Sequence, residues 1–347
     1  MKELGEQHTD RRILYLAMST LYVIEQGAHI EKEYQKLVVT KEDETLAAVP
    51  ASEVTSVVLV GNVGVTTPAV GFMLDRNIPL VYLSSAGKLR GRLVGATARN
   101  IELRHQQYRR ADDPAFCLAV SRAIVRGKLE NYRVRARRMA DRRPPTESAE
   151  IEQAMDAAAR APDLATLRGN EGAGTKAYFA VLHAGLQHDL GFAKRVRRPP
   201  TDPVNALLSL GYTLLGENLF AALEIVGLDP YDGFYHADKY GRPALALDLL
   251  EEFRAIIVDS LVLQLINREI IGAGNFQPAQ DAEHGVFLNR HGLRKFFHHY
   301  SARLNTEVLH PYHRQRWSYL KTFEVQARLL RQVIEGKLPE YIPFRVQ

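Results

Sequence analysis

The 347-residue sequence predicts an α+β protein, a small N-terminal β domain over residues 1–95 followed by a larger all-helical domain over residues 96–347. Three observations lead there. Short runs rich in β-branched and aromatic residues are crowded into the first eighty or so positions. From about Ala96 the apolar residues recur at helical spacing. Between the two regimes there is no alternation of strands with long helices, which argues against a doubly wound parallel sheet.

The strands are expected at Ile13-Leu14-Tyr15-Leu16, Leu21-Tyr22-Val23-Ile24, Leu37-Val38-Val39-Thr40, Val57-Val58-Leu59-Val60 and Leu80-Val81-Tyr82-Leu83. Gly27, Pro50, Gly61-Asn62 and Gly64 punctuate them. One short helix interrupts: Thr66 or Thr67 caps its start, Pro68 suits its first turn, and Asp75-Arg76-Asn77 marks its end. No GxxxxGK loop is present, so nucleotide hydrolysis is not expected to supply energy.

The helical part opens with Ala98–Tyr108 and continues with Pro114–Ala140. Arg122, Arg126, Arg133 and Arg137 fall there at spacings that form a basic stripe. Arg142-Arg143-Pro144-Pro145-Thr146 breaks this run, and Glu150–Arg160 begins another helix. Arg168-Gly169-Asn170-Glu171-Gly172-Ala173-Gly174 reads as a glycine-flanked turn entering the next helix, with Glu171 at its mouth. A second break, residues 197–203, precedes a helix through Asn205, Tyr212 and Asn218. Pro243 opens a helix expected to reach about Asn267. His284–Arg303 reads as a basic helical surface, Trp317–Ile334 closes the fold, and the tail from Pro339 to Gln347 is expected to be mobile.

Hydrophobic residues make up 46% of the chain and charged residues 24%, the balance of a soluble globular protein. No apolar run approaches a membrane span, and the polar N-terminus has no hydrophobic signal region, so a cytoplasmic location is expected. Cys117 is the only cysteine, which excludes an intrachain disulfide and a thiolate-rich zinc site. Any metal must be held by oxygen and imidazole. Lys88–Arg143 holds sixteen Lys and Arg against five Asp and Glu, although the whole chain is only +5. That asymmetry points to a polyanion, and the excess of arginine suits phosphate oxygens.

The stretch Gly227–Arg254 concentrates chemistry. A turn-rich segment carries His236 in a loop and leads through Gly241-Arg242-Pro243 into a helix on which Asp248 and Glu251 lie three residues apart. Such a pair is commonly a solvated helix face with a salt bridge, here to Arg254. If it is instead partly buried and unpaired, the two carboxylates need a cation, and a divalent metal is the simplest one. Glu171 in its glycine-rich setting adds a third acid. Tyr178, Tyr212 and Tyr235 raise a rival, covalent tyrosine chemistry, although aromatic residues at helical spacing more often pack.

Three blocks, RGNEGAGTKAYF, NALLSLGYTLL and GLDPYDGFYHADKYGRPALALDLLEEFR, together with VGVTTPAVGFMLDRNIPLVYLSSAGKLRGRLVG, resemble the CRISPR-associated protein one family, the adaptation endonuclease/integrase, from about Leu14 to Ile334. The resemblance implies a β domain engaged in dimerisation and DNA contact, a helical catalytic domain, homodimers, and assembly with the small companion adaptation protein, CRISPR-associated protein two. It places the family's glutamate on Glu171, its histidine on His236 and its distal acid on Glu251. Asp248 is either a direct ligand or a partner behind the ligands. Lys239 and Arg254 lie where they would meet DNA phosphates, or else form salt bridges. Carboxylates with imidazole suit Mg2+ or Mn2+. The expected reaction is insertion of a short DNA fragment into a CRISPR array by 3′-OH transesterification. A structure-specific DNA nuclease of repair and a non-catalytic DNA-binding scaffold are the alternatives.

Overall fold

A computed structural model describes residues 14–17, 20–95, 100–139, 146–188, 190–196, 199–237, 239–278 and 285–346. They fall into two compact units, one drawn from the chain up to residue 96 together with 287–302, the other from 97–286 and 303–347.

The first unit contains β1 (Leu14–Ala17), β2 (Thr20–Val23), β3 (His29–Glu33), β4 (Lys36–Lys41), β5 (Glu44–Pro50), β6 (Ser56–Val60), β7 (Gly64–Val65), α1 (Thr67–Asp75), β8 (Leu80–Leu83) and β9 (Leu89–Leu93). Two sheets form, in the orders β1-β2-β6-β8-β9 and β5-β4-β3-β7. The centre of the larger one is parallel, with β2 beside β6 and β6 beside β8, while β1 and β9 close its edges antiparallel. That parallel core departs from the expectation of a simple β domain. It arises because the whole β3–β5 meander lies between β2 and β6, and α1 between β6 and β8.

Side chains alternate as a pleat requires. Leu21 and Val23 join Val57, Leu59, Ile30, Leu37 and Phe72 in one buried core. Tyr22, from the opposite face of β2, stacks on Phe297 at 4.4 Å, in helix α9 (Arg290–Leu304). The sequence reading missed β3, whose HIEKE buries Ile30 alone, and β9, whose LRGRL is nowhere fully buried. Strands held by backbone pairing with few buried side chains leave little apolar pattern to read.

The second unit contains α2 (Ile101–Ala111), α3 (Pro114–Met139), α4 (Thr146–Ala159), α5 (Leu164–Gly185), α6 (Pro203–Val226), α7 (Ala244–Phe253), a π-helical stretch Arg254–Asp259, α8 (Ser260–Asn267) and α10 (Tyr319–Ile334). It is mostly, not wholly, helical, because Glu307–Leu309 and Arg316–Ser318 pair as a small antiparallel ribbon. Side-chain caps start the helices: Asn100 accepts from Leu103 N, Asp163 from Thr166 N and Asp202 from Asn205 N. The C-terminus of α6 is closed by Gly227 at φ +94°, a conformation glycine adopts without strain. By length and composition α6 would pass for a membrane span, against the expectation that no run is long enough; 61% of its apolar window is buried inside the fold. The breaks at residues 142–145 and 197–198 and the start of the expected helix at Ala98 lie outside the described residues.

The tail is not mobile. Tyr341 and Phe344 are buried, and Glu252 accepts hydrogen bonds from Tyr341 Oη at 2.6 Å and Phe344 N at 2.7 Å. Asn131 of α3 donates to Phe344 O at 2.9 Å and accepts from Val346 N at 2.9 Å. A Cβ on Gly127 would come within 2.5 Å of Pro343 Cβ, so the tail lies on α3 only because that position has no side chain.

Candidate functional site

Five segments of the helical unit converge. α7 presents Asp248 and Glu251 one turn apart, with 0% and 5% of their surface exposed. The reading of this pair as a solvated face is therefore excluded, and each buried carboxylate must find partners. Asp248 finds four. Its Oδ2 accepts from Phe234 N at 2.7 Å and Tyr235 N at 3.0 Å, and its Oδ1 accepts from His236 N at 2.9 Å and lies 2.7 Å from His236 Nδ1.

One aspartate therefore shapes the loop and orients the imidazole. With Nδ1–H donating to Asp248, Nε2 is left as the acceptor nitrogen, 3.7 Å from Glu251 Oε1. The loop bearing His236 is secured from other helices as well. Gln107 of α2 donates to Asp229 O and Asp232 O at 2.8 Å, Ser121 of α3 donates to Phe234 O at 3.1 Å, and Arg168 of α5 donates to Tyr235 O at 2.6 Å. Gly233 permits the approach, since a Cβ there would meet Ala244 C at 2.8 Å and Asp248 Oδ2 at 2.9 Å.

Glu171 corrects the sequence reading. It does not lie at a turn entering a helix but inside α5, where it accepts from Thr175 Oγ1 at 2.7 Å one turn on. The glycines around it suggested a loop, yet Gly174 is there for packing: a Cβ would come within 2.5 Å of Leu129 Cδ2 and 3.1 Å of Ala154 Cβ. A close contact among α3, α4 and α5 accounts for it.

Between Glu171 and Glu251 stands a group that sequence reasoning missed. Lys128 of α3, with 3% of its side chain exposed, forms an ion pair with Glu171 Oε1 and lies 2.6 Å from Glu251 Oε2. Arg254 Nη2 pairs with the other Glu251 oxygen at 2.9 Å. Burial alone would raise the Glu251 carboxyl; Arg254 and Lys128 outweigh it and hold the group down at about 2. Lys128 had one sequence signal. It is a lysine at a helical position that its neighbours Val125, Leu129 and Tyr132 mark as interior, and a buried lysine requires an anion.

Most of the residues expected to meet DNA have partners within the protein. Arg254 is engaged with Glu251 and lies over the Tyr212 ring at 4.9 Å, so its guanidinium belongs to the site, not to a phosphate face. Arg122 donates to Ala161 O, Arg126 pairs with Glu130 at 3.2 Å, and Arg133 lies 4.0 Å from Glu152. The expected stripe is thus engaged largely with protein partners. Lys239 is exposed on the loop after His236.

Tyr178 and Tyr235 are buried, and Tyr212 donates to Asp259 at 2.5 Å; burial pushes the hydroxyls of Tyr178 and Tyr212 well above their ordinary value. A buried, protonated phenol is a poor nucleophile. The covalent tyrosine route has no support here.

The donor set of Glu171, His236 Nε2 and Glu251 has the hard-oxygen and imidazole chemistry of a Mg2+ or Mn2+ site. Among the described residues no three acidic, histidine or cysteine side chains are already gathered closely enough to hold an ion. Lys128 explains this, since its ammonium lies between two of the three donors. Glu251 Oε2 is buried and its close partner is the Lys128 ammonium, so this oxygen already serves a cation. The residues fit the ion, with Lys128 at the point where they meet.

Comparison with known proteins shows what the chain resembles. The CRISPR associated protein Cas1 family profile matches residues 21–302. A CRISPR-associated endonuclease Cas1 of Thermus thermophilus is 36% identical over 333 residues, covering 95% of this chain and 98% of the relative. A CRISPR-associated exonuclease Cas4/endonuclease Cas1 fusion of Geobacter sulfurreducens is 39% identical over 336 residues, 93% of this chain but only 60% of the longer fused protein. Among solved structures, a chain of a Cas6-RT-Cas1–Cas2 complex superposes with a TM-score of 0.81 at 25% identity, over 96% of this chain and 36% of that one.

Proposed function

The chain belongs to the CRISPR-associated Cas1 family, and from that premise we propose that it is a metal-dependent DNA endonuclease/integrase of CRISPR adaptation. It inserts short DNA fragments into a CRISPR array by 3′-OH transesterification. The observation that supports the proposal is that buried Lys128 contacts both Glu171 and Glu251 while His236 Nε2 lies 3.7 Å from Glu251 and Asp248 holds the imidazole from behind.

In this reading Glu171, His236 Nε2 and Glu251 hold the ion, Mg2+ or Mn2+. The bound ion supplies Lewis acidity to the phosphodiester and to the departing oxygen. Asp248 keeps the Nδ1 proton in place and so leaves Nε2 unprotonated as a donor, the carboxylate–histidine arrangement that tunes metal ligands. Asp248 itself is a positioning residue, because all its acceptor capacity is directed at the loop and the ring. Arg254 stabilises the charge of Glu251 from the side opposite Lys128. His236 and Glu171 are only 17% and 19% exposed, so the groups are largely withdrawn from water. Exchange of one phosphodiester for another needs no nucleotide cofactor, which agrees with the missing phosphate loop.

The partners in this reading are double-stranded DNA fragments and CRISPR repeat DNA, a second copy of the chain, and the companion protein two of the same system, as in the Cas1–Cas2 assembly named above. The place of action is the cytoplasm. The deciding experiment gives the protein and its companion a repeat-bearing plasmid and a short duplex, either with a free 3′-OH or with a blocked 3′ end, with and without Mn2+ or Mg2+. Joining that requires both the free 3′-OH and the metal is the expected result. Cleavage without joining would establish a nuclease instead, and no metal-dependent product would leave a DNA-binding scaffold.

A further inference from the structure

Lys128 is out of place in a simple metal site. Its side chain is 3% exposed, and its ammonium touches Glu171 Oε1 and Glu251 Oε2 together, the two carboxylates that the preceding reading assigns to a divalent ion. A point charge between two carboxylate oxygens occupies the position such an ion would take.

The contacts are those of an exchangeable cation. Glu251 Oε2 receives the ammonium at 2.6 Å, so an oxygen the ion would use is already engaged by a positive charge. A divalent ion at ordinary metal–oxygen distance carries twice the charge and approaches at least as closely, and so attracts the same oxygens more strongly. Arg254 differs from Lys128 in this respect. Its planar guanidinium meets one carboxylate oxygen, Glu251 Oε1 at 2.9 Å, beside the Tyr212 ring at 4.9 Å, whereas Lys128, beside the Tyr132 ring at 5.3 Å, bridges both carboxylates as a point charge on a flexible four-carbon stem.

We infer that Lys128 is a built-in placeholder for the metal: before an ion binds, its ammonium holds Glu171 and Glu251 together, and the entering divalent ion displaces it. The inference rests on the metal-site reading above and adds a competitor to it. It accounts for how two acids with little access to water are kept close without mutual repulsion while remaining free to receive an ion. Two buried carboxylates without a cation would spread or take up protons; with Lys128 between them the site is assembled in advance.

The test reads metal binding directly, using Mn2+ with no DNA present. Isothermal titration compares the wild type with Lys128→Met and Lys128→Gln, the second retaining a neutral hydrogen-bond donor in case the first folds poorly. Both variants are expected to bind Mn2+ about tenfold or more tightly than the wild type, the equivalent of one charge-assisted hydrogen bond no longer broken on binding. A lysine that merely braces the carboxylates predicts equal or weaker binding in both variants, and that result overturns the inference. In the wild type, amine acetylation read peptide by peptide is expected to modify Lys128 slowly in chelator and faster in saturating Mn2+. Unchanged protection would mean the ammonium stays in place and would overturn displacement. His236→Ala separates the two claims: if the wild type shows no Mn2+ binding that this variant loses, the metal site itself fails and the placeholder with it.

Discussion

Asp248→Asn tests the core of the site, because one side chain there holds both a loop and a tautomer. The substitution keeps volume and replaces one carboxylate oxygen by an NH2 group. If the amide nitrogen takes the Oδ2 position, it faces Phe234 N and Tyr235 N; if it takes Oδ1, it faces His236 N and Nδ1. In the first arrangement two buried donors lose their acceptor; in the second, one does, while the ring nitrogen turns from donor to acceptor. At about 1–3 kcal/mol for each donor left unpaired, the net loss is about 3 kcal/mol. For a chain of this length that lowers Tm by about 5 °C. In the second arrangement the new NH2 donates to Nδ1 and moves the ring proton to Nε2, turning the ligand atom into a donor. Mn2+ affinity should then fall about 10- to 100-fold, the usual cost of losing a group behind a metal ligand. The assays are thermal melting in chelator, Mn2+ titration, and strand joining. A variant with the wild-type Tm and wild-type Mn2+ affinity would refute the claim that Asp248 organises the loop and the imidazole.

His236→Ala should reduce joining about a thousandfold, the several kcal/mol a correctly held ion contributes, while gel-shift affinity for duplex DNA stays within about threefold because phosphate contacts dominate binding; comparable loss of affinity would show that His236 acts in binding. Arg126→Ala with Arg137→Ala, both side chains 61% exposed, should flatten the salt dependence of DNA affinity by up to about two units of slope, whereas Arg122→Ala, which removes the donor to Ala161 O, should lower stability by about 1 kcal/mol and leave the slope alone. An unchanged slope in the double variant would take α3 out of the DNA surface. Burial raises the Glu252 carboxyl from 4.5 to about 8, against the hydrogen bonds from Tyr341, Phe344 N and Gln326. The folded protein therefore holds a proton that the unfolded chain has lost between those values, and this contribution to stability is full below 4.5 and declines as pH rises through 8. Denaturant midpoints measured between about pH 6 and 9 should fall less steeply for Glu252→Gln than for the wild type; equal slopes would mean Glu252 is already ionised in the fold.

Much of the architecture was legible because its signals are local. Val57–Val60 and Leu80–Leu83 read as strands because they are short apolar runs rich in β-branched and aromatic residues, and they pair in parallel at the centre of the larger sheet. Lys32, Glu31 and Glu33 hid β3, since a strand whose partners are supplied by backbone pairing can afford charged side chains on its exposed positions. A short tail at the end of the chain is expected to be loose, but what fixes this one is remote. Glu252 on α7 and Asn131 on α3 supply the acceptors and donors, and Gly127 supplies the room. Such long-range complementarity has no periodicity to detect.

The site divides along the same line. Asp248 and Glu251 were placed on one helix by spacing alone, and their helix exists because Leu245, Leu249, Leu250 and Phe253 are buried around them. Glu171 was found, but its setting was misread, because glycine signals a turn only when its backbone needs special angles. Gly169, Gly172 and Gly174 all lie inside α5, and Gly174 serves contact with Leu129. Lys128 escaped because the sequence shows a lysine in an arginine-rich helix, and only the packing of α3 against α5 and α7 turns it inward. A search for acids and imidazoles asks which groups could bind a cation; it does not ask which cation the fold already provides. Two carboxylates and an imidazole directed at one point would repel and scatter unless something positive stood among them, so an interior lysine near acids that a sequence brings together is itself a signal of an assembled ion site.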